Sequence, residues 1–377
     1  MITTINNKHK KLNVPNLRFP EFSGEWEEET LGSVAKVVGG GTPDTNIQKY
    51  WNGNIQWFTP SEIGRDKYVT YSLRTISEEG LNKSSAKILP TGTILLSSRA
   101  TVGECSINNV ECTTNQGFQS LIAKENISNE FLFYLIQTKL KELIRKSCGS
   151  TFLEISANEV RKIKIAIPTH KEQEKIGKLL ALLDERIATQ NKIIDRLQTL
   201  IKGIAQNIAR NNRPNIRISE CLECSSSTLQ ESDVCENGTY PVYGANGIVG
   251  YLDNYNTEGE AIYIIKDGSG VGSVSYVTGK CSATGTLNTL QTKKGYSLQY
   301  LYYMLKVFSF ESYKTGMAIP HIYFKDYGKA KIFCPSYTEQ LQYARLLSAI
   351  DNKLSTEQRL LTSLILQKQY LLRQMFI

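Results

Sequence analysis

Three cysteines in the second half of the sequence have a spacing that occurs in metal sites. Cys221 and Cys224 form a C-x2-C pair, and Cys235 follows after ten intervening residues. A structural zinc site needs four ligands, usually two closely spaced pairs. Cys281 or His321 would have to supply the fourth ligand, and each stands alone in the sequence. We therefore predict free thiols and no bound metal.

A glycine-rich segment at 268–272 (Gly-Ser-Gly-Val-Gly) follows the apolar segment 261–265 and resembles a phosphate-binding loop. Its spacing is not the dinucleotide fingerprint, however, and no helical pattern follows it. The P-loop pattern of nucleotide hydrolases does not occur in the sequence. We interpret these glycines as turns between strands, where glycine adopts conformations that other residues avoid.

Motifs for catalysis on DNA are also missing. The sequence has no Pro-Pro pair, which adenine-amino methyltransferases use in the loop that holds the flipped base. Pro43-Asp44 has no acid-x-Lys partner of the restriction-nuclease type in the next thirty residues. The three histidines are too scattered for a catalytic triad. We therefore expect a protein that recognises another molecule and is not itself an enzyme.

Polar side chains gather at predicted turns in the segments 1–167 and 213–334. Arg, Lys, Asn and Gln can read base edges, whereas Ser, Thr and Tyr commonly hold phosphates. We therefore predict DNA contacts here, although any single position also fits a solvated turn. The candidates in the first segment are Thr42, Thr59, Ser61, Arg65, Lys67, Ser97, Ser98, Arg99, Thr101, Asn115, Gln116, Ser150 and Thr151. Those in the second are Tyr243, Asn246, Lys266, Asp267, Ser269, Thr284, Asn288, Lys314, Thr315 and His321.

An internal repeat occurs at the end of each of these two segments. When the chain is shifted by 167 residues, thirteen of the sixty-two positions in 149–210 are identical to 316–377 without a gap. Further upstream the similarity is weaker and needs short gaps, as between 131–136 and 300–305. Repetition at this scale indicates duplicated structural units. The chain therefore alternates between variable and constant units, with predicted bounds 1–167, 168–212, 213–334 and 335–377.

The two constant units are predicted to be long helices. Apolar residues recur at spacings of three and four from Ile176 onward and again from Leu346 onward, which indicates helices with an apolar stripe. Pro168 and Pro335 precede them, where helix start signals belong. The residues predicted to form the helix-pair and partner interface are Ile176, Leu179, Leu183, Ile187, Ile194, Leu197, Ile204, Leu346, Ile350, Leu354, Leu361, Leu364 and Leu371.

Polar residues interrupt both stripes at equivalent places. Arg186 and Gln190 do so in the first helix, and Lys353 and Glu357 in the second. Polar groups at seam positions lower stability but fix register and pairing. We predict an antiparallel coiled coil within one chain. A local clamp of each helix on its own domain, or a homodimer seam, remains as the alternative.

The variable units contain short β-branched and aromatic runs bounded by turn residues, such as 240–244 and 261–265. Such runs predict strands, whereas 129–146 and 297–314 have amphipathic helical patterns. The predicted fold class is α+β, with two mixed, β-rich domains in tandem separated by the two long helices.

Composition excludes several classes of protein. The chain has 377 residues, of which 41% are hydrophobic and 21% charged, and its net charge is +8. These values predict a globular chain of two or three domains. No apolar run approaches the roughly 18 residues of a membrane span, and no signal peptide is visible. We therefore expect a cytoplasmic protein that binds no membrane.

Four segments carry a family resemblance: 15–22 (Pro-Asn-Leu-Arg-Phe-Pro-Glu-Phe), 149–152 (Gly-Ser-Thr-Phe), 165–168 (Ile-Ala-Ile-Pro) and 243–251 (Tyr-Gly-Ala-Asn-Gly-Ile-Val-Gly-Tyr). Together with the repeat order, they resemble the specificity subunit of type I restriction–modification enzymes over essentially the whole chain. The second repeat departs from the pattern at 316–321, where Gly-Met-Ala-Ile-Pro-His replaces Gly-Ser-Thr-Phe.

The resemblance implies that each variable unit is a target recognition domain that reads one half of a bipartite, asymmetric site in double-stranded DNA. It implies that the helix pair sets the gap and docks two methyltransferase subunits, which bring S-adenosylmethionine. Two motor–nuclease subunits would bring ATP hydrolysis with Mg and cleavage. This chain would hold no cofactor and catalyse nothing itself. The alternatives are a receptor-binding or structural repeat protein and a decoy that docks the methyltransferase without reading DNA.

Overall fold

The computed structural model describes residues 13–149, 153–268, 270–316 and 319–377. The chain forms two compact units, each built from a variable domain and parts of both long helices. Unit 1 contains Met1–Ala188 and Thr362–Ile377, and unit 2 contains Thr189–Leu361. The predicted fold class, two mixed α/β domains in tandem with two long helices, is confirmed.

The variable domain of unit 1 combines short strands with short helices. Its strands are β1 (Glu27–Thr30), β2 (Ala35–Gly39), β3 (Trp51–Phe58), β4 (Tyr68–Val69), β5 (Arg74–Ile76), β6 (Ile94–Leu96), β7 (Cys105–Asn108), β8 (Cys112–Thr114), β9 (Gln119–Ala123) and β10 (Lys164–Ile167). Its helices are α1 (Leu31–Val34), α2 (Glu78–Asn82), α3 (Asn129–Thr138), α4 (Leu140–Arg145) and α5 (Ala157–Arg161). The first long helix, α6 (His170–Asn211), follows.

The variable domain of unit 2 repeats this arrangement with fewer elements among its described residues. Its strands are β11 (Ile216–Arg217), β12 (Leu222–Ser226), β13 (Tyr240–Gly244), β14 (Gly247–Leu252), β15 (Glu260–Ile265), β16 (Val274–Thr278), β17 (Ser282–Ala283), β18 (Leu287–Thr292) and β19 (Lys331–Ile332). Its helices are α7 (Ile218–Cys221), α8 (Leu298–Val307) and α9 (Phe324–Tyr327). The second long helix is α10 (Tyr337–Gln374).

The two variable domains have matching sheet topologies. The main sheet of unit 1 has the strand order β2-β9-β6-β7-β4, and that of unit 2 has β12-β18-β15-β16. The second sheets, β5-β3-β8 and β14-β13-β17, each join an antiparallel pair to one parallel neighbour. The repeat that is obvious only in the long helices at the sequence level therefore extends through both variable domains.

Both long helices are continuous, with no proline inside them. At the start of α10, the Ser336 hydroxyl accepts from the Glu339 N–H while the Glu339 carboxylate accepts from the Ser336 N–H. This reciprocal pair is a capping box, which satisfies N–H groups that the first turn leaves unpaired. The helices begin two residues after Pro168 and Pro335, as their positions predict.

The long helices are antiparallel within each unit. In unit 1, Asp184 pairs with Lys368 at 2.7 Å, while Ile176 belongs to the same buried cluster as Met375. In unit 2, Gln190 donates to Glu357, and Leu354 lies in one cluster with Ala205. In both units, residues later in α6 contact residues earlier in α10. The predicted antiparallel pairing is therefore present inside one chain.

Each long helix is attached to its own variable domain by the same two contacts. The Gln173 amide oxygen accepts from Ser128 N at 3.0 Å, and the Tyr134 hydroxyl donates to Asp184 at 2.7 Å. In unit 2 the corresponding contacts are Gln340 with Ser297 N at 2.9 Å and Tyr303 with Asp351 at 3.3 Å. Ser128 and Ser297 are also the N-caps of α3 and α8. Gln173 and Asp184, which are identical to Gln340 and Asp351 in the second repeat, thus help to hold each long helix on its variable domain.

Most residues of the predicted helix seam are removed from solvent. Ile176, Leu183, Ile194, Leu354 and Leu364 are buried. Seven more are half-buried: Leu179, Ile187, Leu197, Ile204, Ile350, Leu361 and Leu371. Leu346 is a correction, because half of its surface is exposed while the adjacent Leu347 is fully buried. A pair of adjacent leucines leaves the helix phase undecided in the sequence.

Candidate nucleic-acid interface

Three loops of unit 1 are joined edge to edge where strands of its two sheets end. Ser98, just after β6, donates its N–H to the Gly117 carbonyl at 2.8 Å and accepts from Ile155 N at 2.9 Å. Ala100 N donates to the Leu153 carbonyl at 3.2 Å. The loops 97–103, 115–117 and 153–155 therefore form one hydrogen-bonded frame.

Unit 2 builds the same frame from equivalent residues. Lys266 takes the place of Ser98, because its N–H donates to Thr286 O and its carbonyl accepts from Ile322 N, both at 2.9 Å. The next two positions also correspond, with Ala100 at φ +64° and Gly268 at φ +97°. This left-handed backbone suits glycine and strains alanine. The same left-handed conformation at both positions, kept in unit 1 at the cost of strain in Ala100, indicates a loop shape that both units retain.

The frames present different side chains at equivalent backbone positions. Arg99 and Glu154 form an isolated antiparallel backbone β-bridge in unit 1, and Asp267 and His321 form the equivalent one in unit 2. The Arg99 and Glu154 side chains are about half exposed and lie 3.8 Å apart. The unit 1 frame thus offers a guanidinium and a carboxylate, whereas the unit 2 frame offers a carboxylate and an imidazole. One scaffold with two sets of polar groups can bind two different ligand patterns.

Five candidates of unit 1 are exposed at or near this frame: Ser61, Arg65, Arg99, Thr101 and Gln116. Thr42 is half-buried and its hydroxyl donates to the Gln116 amide oxygen, so the two positions are tied together. These side chains are open to solvent and remain candidates for DNA contact. Two further candidates, Ser150 and Thr151, lie outside the described residues.

Several candidates of unit 1 have structural roles instead. Ser97 and Ser98 are fully buried, so their hydroxyls do not face solvent. Thr59 forms a reciprocal cap with Glu62 at the single helical turn Pro60–Glu62. The half-buried Asn115 accepts from Gly117 N at 2.8 Å and shapes its own turn. Serine and threonine at turns often satisfy local backbone groups, so their position in the sequence does not distinguish a DNA contact from a cap.

Lys67 differs from its prediction as a DNA contact, because its ammonium group is engaged inside the protein. It pairs with Glu130 and donates to the Tyr134 hydroxyl at 2.9 Å. The Tyr134 hydroxyl in turn donates to Asp184, which pairs with Lys368. Burial and these carboxylates raise the pKa of Tyr134, so its phenol stays protonated. Lys67 therefore joins the variable domain to the helix pair and is not free to contact DNA.

In unit 2, Asn246 and Thr315 are exposed, and five other candidates are half-buried: Tyr243, Lys266, Asp267, Lys314 and His321. Thr284 and Asn288 are buried, and Asn288 donates to the Tyr327 hydroxyl at 3.0 Å. Both side chains lie in the core, which contradicts their prediction as exposed DNA contacts. Ser269 lies outside the described residues.

A surface that sequence reasoning missed follows β4 in unit 1. Tyr71 and Leu73 are 85% and 88% exposed, although large apolar side chains usually turn inward. Next to them, the Arg74 guanidinium stacks over the Trp51 ring at 3.6 Å. Nothing in the spacing of these residues distinguishes them from an ordinary strand, so the exposure of Tyr71 and Leu73 could not be predicted from the sequence.

Cys221, Cys224 and Cys235 differ in their surroundings. Burial raises the pKa of Cys221 to about 12 and that of Cys224 to about 11, whereas Cys235 is exposed. In the part of the chain that the structure describes, no group of three or more His, Cys, Asp or Glu residues is arranged to hold a metal ion. Within the same residues, no helix is long and apolar enough to cross a bilayer.

The sequence matches a family model described as "Type I restriction modification DNA specificity domain" twice, over residues 23–199 and 215–365. The chain belongs to this family. The two matches correspond to the two repeats, each with one variable domain and most of one long helix. The resemblance based on segments 15–22, 149–152, 165–168 and 243–251 is thereby confirmed.

Individual family members are similar over different lengths. The type I restriction enzyme MjaIX specificity subunit of Methanocaldococcus jannaschii is 37% identical over 180 residues, 46% of this chain and 42% of that protein. The EcoR124I/EcoR124II specificity subunit of Escherichia coli is 28% identical over 214 residues, which are 55% of this chain and 49% of that protein. This chain thus spans less than half of these two relatives. The EcoprrI subunit of E. coli is 24% identical over 85% of this chain and 86% of its own.

Solved structures share the fold. The type I restriction–modification S subunit from M. genitalium superposes with a TM-score of 0.68 at 18% identity, covering 97% of this chain and 99% of the other. A chain from a structural study of complex assembly and conformational transition in a type I restriction–modification system has a TM-score of 0.57 at 16% identity, covering 93% and 97%. Identities this low support the architecture and leave function to other evidence.

Proposed function

We propose that this chain is the DNA specificity subunit of a type I restriction–modification complex and that each unit reads one half of a bipartite site. The duplicated loop frame carries the proposal. It gives both units the same means of presenting side chains, while Arg99 and Glu154 in one and Asp267 and His321 in the other differ in charge and hydrogen bonding. Two readers of different chemistry predict an asymmetric site. The match to a family of type I restriction–modification DNA specificity domains supports this function over a receptor-binding stalk.

In this proposal, the long helices also dock partner subunits. Apolar residues on both helices remain exposed, including Leu182, Leu200, Leu366 and Tyr370. Exposed apolar surface of this kind is typical of binding sites for other proteins. The partners would be two methyltransferase subunits, which bring S-adenosylmethionine, and two motor–nuclease subunits, which bring ATP and Mg. This chain itself would supply sequence recognition in the cytoplasm and no catalytic group.

Binding to duplex DNA at several salt concentrations tests the proposal. A protein that neutralises phosphates releases counterions, so its affinity falls steeply as salt rises. We expect this dependence, together with tighter binding to duplexes that contain the bipartite site. Equal affinity for all duplexes would contradict specificity, and a salt-independent interaction would contradict phosphate contact. A complex with the methyltransferase that lacks sequence-dependent binding would identify a decoy.

Replacing Arg65 and Arg99 together by alanine is expected to weaken DNA binding and to lower the salt slope by about two. Both side chains are exposed in unit 1, so the change leaves its core intact. The matched control replaces Lys171 and Lys178, two exposed lysines of α6, which removes the same charge. Titrations from low to moderate salt measure the slopes. A slope that falls equally in both variants would show that net charge alone matters.

Inserting four residues, about one turn, into both long helices is expected to lengthen the unread gap by one or two base pairs. Each insertion adds roughly 6 Å of helix at ~1.5 Å per residue, and B-DNA rises ~3.4 Å per base pair. Mapping the recognised sequence of the variant measures the gap. The two half-sites themselves should stay the same. An unchanged gap would contradict the assignment of spacing to the helices.

A further inference from the structure

Two polar side chains are buried in the helix pair within unit 2. Gln190 of α6 and Glu357 of α10 are only 5% and 7% exposed. All residues of the two long helices are described. Beyond the first turn of each helix, Gln190 and Glu357 are their buried polar side chains. They occupy equivalent positions, 167 residues apart, so corresponding residues of the two repeats meet each other.

The contact specifies position along the helix. The Gln190 amide donates both to the Glu357 carboxylate and, at 3.2 Å, to the Glu357 backbone carbonyl. The second carboxylate oxygen pairs with Lys353, four residues earlier on the same helix. Lys353 and the Gln190 amide lower the pKa of Glu357, so the carboxylate is charged at neutral pH. A bond to the backbone as well as to the side chain ties the amide to one residue of the opposite helix.

Within unit 2, the apolar seam around this contact does not by itself select the register; in unit 1 the Asp184–Lys368 pair also favours it. The positions seven residues from Gln190 are Leu183 and Leu197, and those seven residues from Glu357 are Ile350 and Leu364. A slip of one heptad would therefore pair leucine and isoleucine with similar side chains elsewhere along the seam. It would also leave the amide and the carboxylate buried against hydrocarbon. Unpaired buried polar groups strongly disfavour such states.

The difference between the two residues also matters. Two equivalent glutamates would place like charges together in a buried contact, whereas an amide donor opposite a carboxylate satisfies both groups. Arg186 stands four residues before Gln190, as Lys353 stands four residues before Glu357. The cation needed by a glutamate at position 190 is therefore already present. Exchanging the two residues should preserve the contact.

We propose that the Gln190–Glu357 contact fixes the register of the long-helix pair. The residues act as positioning residues. If the function proposed above holds, the same contact fixes the number of base pairs between the half-sites.

Distances between spin labels on the two helices test the register directly. Cysteines at the exposed positions Lys202 and Arg359 carry the labels, in a full-length chain whose exposed Cys148 and Cys235 are replaced by serine. We expect one narrow distance distribution for the parent chain. In the Gln190→Leu/Glu357→Leu variant we expect a second population, displaced along the helix axis by about 10 Å, or one heptad at ~1.5 Å per residue. A single unchanged distance in this variant would overturn the proposal.

The exchange variant, Gln190→Glu with Glu357→Gln, is the matched control and should retain the parent distance. The single change Gln190→Glu places two carboxylates in contact and should lower the melting temperature, and the second change should restore it. This thermal cycle needs only folded protein and tests the contact if the leucine variant does not fold. Losses that simply add in the exchange variant would overturn the proposal.

The gap read from methylated DNA gives a separate outcome. The leucine variant should produce methylation at more than one gap length, with the half-sites unchanged. A slipped distance without any sequence-specific methylation in the parent chain would refute the proposed function and leave the register proposal intact. A single gap length together with one unchanged distance would refute the register proposal alone.

Discussion

Replacing Glu172 by alanine is expected to lower the free energy of unfolding of unit 1 by about 3–5 kcal/mol. Glu172 lies in the first turn of α6, and its side chain is almost completely buried. Both of its oxygens accept from the Arg18 guanidinium at 2.7 Å. Arg18 also donates to the Gly24 carbonyl at 2.5 Å. Removing the carboxylate leaves a largely buried guanidinium without its counter-charge.

Tryptophan fluorescence during chemical denaturation measures this effect in unit 1 alone. All three tryptophans of the chain, Trp26, Trp51 and Trp57, belong to that unit. The matched control is Glu339→Ala, the equivalent position of the second repeat, where the exposed glutamate caps its helix with Ser336. Loss of a cap costs about 1 kcal/mol and should leave the tryptophan transition in place. Comparable shifts from both variants would show that the Arg18 pair has no special weight.

Replacing Phe376 by alanine is expected to destabilise unit 1 by about 3–5 kcal/mol, the usual range for a buried phenylalanine. Its ring stacks on Phe131 at a centroid distance of 5.2 Å and meets Trp26 edge-on at 6.4 Å. It is 7% exposed and belongs to the main core of the unit. Truncation therefore opens a cavity between the variable domain and the residues that follow α10.

The same fluorescence experiment detects this change, because Trp26 lies beside the cavity. Tyr370→Ala is the control, since Tyr370 is more than half exposed on α10 and a surface substitution usually changes stability by less than about 0.5 kcal/mol. An equal loss in the two variants would indicate that the C-terminal residues stabilise unit 1 through the helix alone and not through the aromatic contact.

The long helices and the domain order could be predicted from sequence because both rest on repeated patterns. Apolar residues at spacings of three and four report helix phase directly. Helix starts at His170 and Tyr337 lie two residues from the predicted bounds of the constant units. The repeat also located the residues of the helix contact, since Gln190 and Glu357 were the polar interruptions of the two stripes.

The candidate interface was harder to predict because exposure depends on the whole fold. Lys67 looks like any other turn lysine in the sequence, yet Glu130 and Tyr134, more than sixty residues away, occupy its ammonium group. Ser98 and Lys266 prove equivalent only through their backbone hydrogen bonds. Side-chain chemistry in the two variable domains has diverged, and this divergence hides from sequence comparison the shared loop frame that presents it.

Single-molecule mapping of methylated adenines tests the central claim most directly. The DNA would come from cells that express this chain together with its methyltransferase partner, and from cells that express the partner alone. The account predicts one asymmetric bipartite motif with a constant gap, which disappears when the chain is omitted. Methylation that is independent of this chain, or a motif of one uninterrupted block, would contradict the claim that its two units read the two halves of a DNA site.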